Sequence, residues 1–225
     1  MDVFVVEVVF CAVVFILSFL IYYKLRETYK LTEYKGLHYF SSTFLFLGLA
    51  YFLRFLVSIL LLYDQSELGS MSWDFRSVMV FSIAFMVYSS SASILYLIYS
   101  LAWKWNEIFR NEALLHSLAI IFAVVSIIHR PISIFSIQIA LLAILSVVIV
   151  LNYRSYEGDR KTVVGKVYPL YILLFLFWIF NLLLPFRVIS FDFRIGIYAL
   201  SVAVLCIIGY KVLRKLEQNE EGEKE

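Results

Sequence analysis

Residues 113–151 read ALLHSLAIIFAVVSIIHRPISIFSIQIALLAILSVVIVL. The stretch is apolar on both sides of one interruption, His129-Arg130-Pro131, and is either one helix or two. A single helix of 39 residues, rising about 1.5 Å per residue, would reach roughly 60 Å, about twice the hydrocarbon thickness of a bilayer. Pro131 lacks an amide donor and suits the first turn of a new helix. The segment is therefore expected to form two spans, 113–128 and 132–151, joined by a tight turn.

Five further apolar stretches flank this pair, at about residues 3–23, 37–62, 77–103, 167–186 and 195–212. A crossing needs about 17–25 predominantly apolar residues. The second and third stretches are long and should tilt or protrude, and the fourth is short. Hydrophobic residues make up 63% of the chain and charged residues 16%, which is too apolar for a water-soluble domain of this length. The expected fold is an all-α membrane protein, a seven-transmembrane-helix bundle forming one domain over residues 1–212. A charged tail follows at 213–225, with 216–225 disordered beyond a helical extension of the last span.

The cations orient the bundle. With the N-terminus outside, fourteen of the nineteen Lys and Arg residues fall on the cytoplasmic side. Arg76, Arg130, Arg187 and Arg194 fall outside, and Arg54 lies within a span. This is the positive-inside asymmetry of a multi-pass protein, and it puts the C-terminus in the cytoplasm. The split at Pro131 matters here, because without it Arg154, Arg160, Lys161 and Lys166 would face outside. Aromatic residues agree, with Tyr22, Tyr23, Tyr39, Trp103, Trp105, Tyr153, Tyr156, Tyr168 and Tyr210 at the inner boundary and Tyr63 and Trp73 at the outer one. The first span has its basic flank after it and no small-residue cleavage site, so it reads as a span, not a signal peptide.

Several chemistries lack their residues. No Lys lies at mid-membrane for a retinal Schiff base. There is no HExxH, no Cys/His ligand set and no nucleotide-binding Gly loop. Cys11 and Cys206 read as separate, buried small apolar side chains. His38 and His116 lie near the inner ends of spans two and four, where a paired depth would suit a b-type haem. The preferred reading is interfacial histidine, with no cofactor and no metal.

Small residues recur at helical spacing at Ser82, Ser89, Ser93 and Ser100, at Ser133, Ser136, Ala140 and Ala143, and at Gly196, Ala199, Ala203 and Cys206. They are expected to line helix–helix contacts. The run from Ser89 to Ser93 reads as packing, its hydroxyls bonded back to their own helix, with a polar path or ligand contact as the alternative.

The candidate site lies in the outer half of the membrane. Glu7 on span one, Arg54 on span two, Gln138 on span five and Asn181 on span six fall at similar depth. Charges at the bilayer centre cost about 2.5–3.5 kcal/mol on insertion scales, so such groups face the bundle interior or a wet cavity. A Glu7–Arg54 pair would relieve both desolvation costs, either as a structural clasp or as part of a pocket open to the outside. Pro185 would free the Asn181 carbonyl if span six continued through it, which makes a hinge there an alternative to plain helix termination.

Span count and orientation resemble the seven-helix input modules of microbial sensors, without any shared motif. That resemblance implies a non-catalytic sensing or interaction module of the cell membrane; the alternative is a small-solute transporter. The expected partners are the lipid bilayer and a membrane or cytoplasmic protein met through the basic inner loops and tail, with no nucleic acid. The charge map makes a direct prediction. A cysteine at Ser70 should react with an impermeant thiol reagent in intact cells, and one at Ser155 only after the membrane is opened. Labelling of Ser155 from outside would overturn the orientation.

Overall fold

The computed structural model describes the backbone of residues 2–66, 73–129, 131–156, 163–184 and 190–222, and the side chains of 4–60, 77–128, 134–153, 168–184 and 190–213. Seven α-helices and one 3-10 turn account for nearly all of the described residues, and no strand occurs among them. The α-helices are α1 (Asp2–Thr32), α2 (Lys35–Ser66), α3 (Trp73–Ala102), α4 (Glu112–His129), α5 (Pro131–Tyr156), α6 (Val163–Leu183) and α7 (Phe191–Gly222). α4 ends at His129 and Pro131 opens α5, so the stretch forms two helices, as the proline argument requires.

Five helices, α1, α2, α3, α5 and α7, are long and apolar enough to cross a membrane. The apolar parts of α4 and α6 are shorter, Glu112–Ile128 and Tyr168–Leu183. The surface matches this composition. Val9, Ile16, Leu20, Ile121, Val124, Ile144, Val147 and Leu200 all point outward and are about half exposed. An apolar exterior of this extent suits lipid as the surrounding solvent, not water.

The helices form a ring. α1 packs on α2, α2 on α3, α3 on α5, α5 on α6, α6 on α7, and α7 returns to α1. α4 packs on α3 and α5 and turns Ile120, Ile121, Val124 and Ile127 away from the bundle. Its N-terminus is closed by Asn111, whose Oδ1 accepts from the backbone N–H groups of Ala113 at 3.0 Å and Leu114 at 3.4 Å. At the far end of the ring from Glu7, Phe40, Phe44, Leu47, Ile94, Leu97, Leu174, Leu205 and Ile208 are completely enclosed and fill the interior.

The α1–α2 turn is tight. Glu33 takes a left-handed conformation, φ 51°, and its N–H donates to the Tyr29 carbonyl at 2.8 Å. About midway along the pair the two helices approach closely. A Cβ placed on Gly48 would lie 2.8 Å from the Phe19 ring and 3.4 Å from Ser18 Cβ.

The small-residue stripes divide. On α3, Ser82, Ser89, Ser93 and Ser100 are all buried, as expected of the helix that touches α2, α4 and α5. The hydroxyls of Ser90 and Ser100 bond back to Val87 and Leu97 carbonyls at 3.0 and 2.8 Å. Ser93 instead reaches across to the Thr43 carbonyl of α2 at 2.9 Å. The other two stripes are corrected by the structure. On α5 the Ser133 side chain lies outside the described residues, while Ser136, Ala140 and Ala143 face outward and Leu141, Leu142 and Leu145 make the contact. On α7, Gly196, Ala199, Ala203 and Cys206 face outward while Ile197, Ser201, Val204 and Leu205 are buried. Cys206 is thus exposed, and only Cys11 is enclosed. The expectation fails because lipid accepts small apolar residues on the outer face as readily as an interface does. The tail also differs from expectation, since α7 continues unbroken through Gly222.

Close contact at Gly48 predicts an asymmetric response to added bulk. Gly48→Leu should lower the stability of the purified protein by about 1–3 kcal/mol through overpacking. Gly196→Ala meets nothing within 4 Å and should stay within about 0.5 kcal/mol of the parent. Thermal unfolding in detergent reads both, and equal losses would show that the α1–α2 approach is not tight.

Candidate functional site

Glu7 occupies the second turn of α1, and Arg54 lies on the part of α2 that runs beside it. Arg54 donates from Nη2 to Glu7 Oε1 at 2.8 Å and from Nε to the same oxygen at 3.1 Å. The two side chains retain only 25% and 29% exposure. A charge-assisted pair sheltered from water is stronger than a surface pair. The guanidinium also lies 6.0 Å from the centroid of the Tyr51 ring, one turn earlier on α2, at the outer limit of cation–π attraction.

Tyr51 extends the connection across the ring. Its hydroxyl donates to Asn181 Oδ1 on α6. Asn181 Nδ2 in turn donates to the Phe177 carbonyl at 2.7 Å and lies 3.4 Å from Ser201 Oγ on α7. Asn181 is buried, so each end of its amide needs a partner, and each has one. Phe10 packs edge-on against Tyr51 at 5.6 Å and at a tilt against Tyr198 at 4.4 Å, closing α1, α2 and α7 around the network.

These groups border a cavity of about 700 Å³. Phe4 and Glu7 come from α1, and Ala50, Tyr51, Arg54, Val57 and Ser58 from α2. Met86, Val87 and Ser90 come from α3, Ile134, Phe135 and Gln138 from α5, and Trp178, Asn181 and Leu182 from α6. All four residues singled out in the sequence, Glu7, Arg54, Gln138 and Asn181, meet at this one cavity. Glu7 pairs with Arg54, and Asn181 joins them through Tyr51. Gln138 stands on the opposite wall, and its amide makes no side-chain hydrogen bond among the described residues. The indole N–H of Trp178 is buried without a partner among the described residues. A volume of this size falls in the range of small-molecule sites, about 300–1,000 Å³.

Across 215 residues the chain is 45% identical to an uncharacterized protein of Archaeoglobus fulgidus, covering 93% of this chain and 92% of the relative. The chain and this archaeal protein belong to one family. No protein-family profile matches the chain. No solved structure matches it either.

Tyr51 is the central residue that sequence reading passes over. A mid-helix tyrosine looks like any other aromatic of the core, and only its spacing of one turn from Arg54 hints at a shared face. The Ser90 hydroxyl belongs to the packing reading, through its bond to Val87, yet Ser90 also lines the cavity. The hinge expected at Pro185 lies outside the described residues. Before it, α6 ends at Leu183, and the Asn181 carbonyl accepts from the Leu184 N–H at 3.3 Å. That carbonyl therefore has a donor.

The histidines have protein partners of their own. His116 on α4 lies between two tyrosines of α3, with Nδ1 2.9 Å from the Tyr88 hydroxyl and Nε2 3.1 Å from the Tyr96 hydroxyl. Both ring nitrogens are thereby engaged, so an axial metal bond there would require breaking one contact. His38 lies beside Glu112, with Nε2 3.4 Å from Oε1. No group of three or more His, Cys, Asp or Glu residues poised to hold a metal ion occurs among the described residues.

The geometry predicts energetic coupling between Glu7 and Arg54. Glu7→Gln and Arg54→Leu should each lower thermal stability, because each leaves the other charge uncompensated in a sheltered site. The double variant should recover part of the loss, with a coupling of about 0.5–3 kcal/mol. Strict additivity in the double-mutant cycle would show that the two groups do not interact.

Proposed function

We propose that this protein is a seven-helix integral membrane protein of the cell membrane, with its N-terminus outside, that binds a small ligand in an outward-facing cavity. In this reading it is a non-catalytic sensing or interaction module. The observation that carries the reading is the convergence of Glu7, Arg54, Gln138 and Asn181 from four different helices on one cavity. A purely structural ion pair needs only α1 and α2, and it does not require a glutamine of α5 on the same cavity.

The charge asymmetry supports the orientation, since it places the Glu7 end outside and the long basic segments inside. Helices α4 and α6 are counted as crossings on charge grounds: a crossing by α4 keeps Lys161 and Lys166 on the cytoplasmic side, and a crossing by α6 keeps Lys211, Arg214 and Lys215 there. The filled interior beyond the cavity, around Phe40, Phe44, Ile94 and Leu97, favours a pocket with one entrance over a transport path, which needs access from both sides. On the cytoplasmic side α7 runs past the expected membrane boundary to Gly222. It carries Lys211, Arg214 and Lys215 and then Glu217, Glu220 and Glu221. The basic turn suits anionic headgroups, and the acidic turn beyond it suits a partner protein.

Entry from outside is testable by thiol labelling in a background lacking Cys11 and Cys206. Met86→Cys, on the cavity wall, should react in intact cells with an impermeant reagent. Ile144→Cys, which faces outward from α5, should not. Silence at Met86→Cys in both intact cells and opened membranes would refute a water-filled cavity, and reaction only after opening the membranes would reverse its orientation.

A further inference from the structure

The way Arg54 and Glu7 meet says what kind of molecule the cavity suits, an inference that rests on the binding reading above. Arg54 spends Nε–H and one Nη2–H on a single oxygen, Glu7 Oε1. A guanidinium has five N–H donors; two go to Glu7 and one more is within reach of the Tyr51 hydroxyl, so two remain without a hydrogen bond among the described residues. Glu7 Oε2 likewise has no hydrogen-bond partner among them. Both residues border the cavity. A donor edge and an acceptor oxygen are thus presented side by side, and among the described residues no other charged side chain lines the cavity.

A ligand with one charge fits this arrangement badly. An anion on the free edge of Arg54 would sit beside the Glu7 carboxylate, which is 2.8 Å from the same guanidinium. A cation on Glu7 Oε2 would sit beside Arg54. Like charges held this close in a sheltered site repel. A molecule carrying both charges satisfies both partners at once, with its carboxylate on Arg54 and its ammonium on Glu7. The remaining walls suit an apolar body, since Phe4, Met86, Phe135 and Trp178 surround the space.

We propose that the cavity binds a small, net-neutral zwitterion of the amino-acid class, with neighbouring carboxylate and ammonium groups on an apolar or aromatic body. An ammonium-bearing zwitterionic lipid headgroup offers related chemistry, with an acidic phosphate in place of the carboxylate, and is the other possible source.

The full-length protein in an uncharged detergent distinguishes these cases. It is titrated with L-phenylalanine, phenethylamine and hydrocinnamate, which share a phenyl body and differ only in charge. Thermal unfolding and tryptophan fluorescence report binding. Phenylalanine should raise the unfolding midpoint at a concentration about tenfold lower than either single-charge analogue. Val57→Phe keeps the ion pair and fills the cavity, so a folded Val57→Phe protein should lose the response. If free phenylalanine has no effect, the protein is reconstituted with phosphatidylethanolamine or with an uncharged glycolipid. A higher midpoint in phosphatidylethanolamine that Val57→Phe abolishes would support the proposal and assign the zwitterion to lipid. Equal responses to the three phenyl compounds, a response that survives Val57→Phe, or no response to any zwitterion would overturn the proposal. If Met86→Cys is still labelled from outside in that case, the cavity reading stands and only the ligand class fails. If it is not labelled, both fail.

Discussion

Backbone amides and carbonyls in an apolar medium have only each other as partners, and this constraint sets the form of the whole chain. Where water is absent each unsatisfied group costs several kcal/mol, so a spanning segment must close its hydrogen bonds internally. Helices do this with local bonds alone. Seven α-helices, with no strand among the described residues, are the outcome. Interruptions fall where a residue cannot take part or where the chain carries charge, as at His129-Arg130-Pro131 and in the turn at Glu33.

The same constraint acts on side chains, and it explains why a few polar groups are informative. Ser90 and Ser100 discharge their donors onto carbonyls of their own helix, and Ser93 onto the helix next to it. His116 spans the gap between α4 and α3 by engaging both nitrogens with tyrosines. Arg54 has no such neutral solution, because its guanidinium stays charged and keeps five donors. It takes Glu7 from α1 and the face of Tyr51 from its own helix. Tyr51 then takes Asn181, and Asn181 takes the Phe177 carbonyl and approaches Ser201. One buried cation therefore organises contacts among α1, α2, α6 and α7.

That network is incomplete in a particular direction. Its members are satisfied where they meet one another, and Arg54 and Glu7 retain a donor and an acceptor without a partner among the described residues. Gln138 completes the pattern from the opposite wall. A clasp evolved only to hold helices together would gain nothing from an open space of about 700 Å³ beside it, since voids forfeit packing contacts. The filled core at the other end of the ring shows that this bundle packs densely elsewhere.

Composition and charge placement by themselves determined the all-helical apolar character, the helix boundaries near Pro131 and the choice of Glu7, Arg54, Gln138 and Asn181 as polar residues set within apolar stretches. Each of these is a property of one segment: its length, its period or its distance from a polar end. The sequence did not reveal which face of a helix turns inward. In water the polar face marks the outside, but in lipid both faces are apolar, so the stripes on α5 and α7 gave no sign that they face outward. Neighbour relations were equally hidden. Only the tertiary structure decided that α4 leaves the ring, that Tyr51 links Arg54 to Asn181, and that four polar residues spread over 175 positions of sequence border one cavity. Such contacts depend on how helices rotate about their axes and choose neighbours, and no local pattern encodes that when the surrounding solvent is itself apolar.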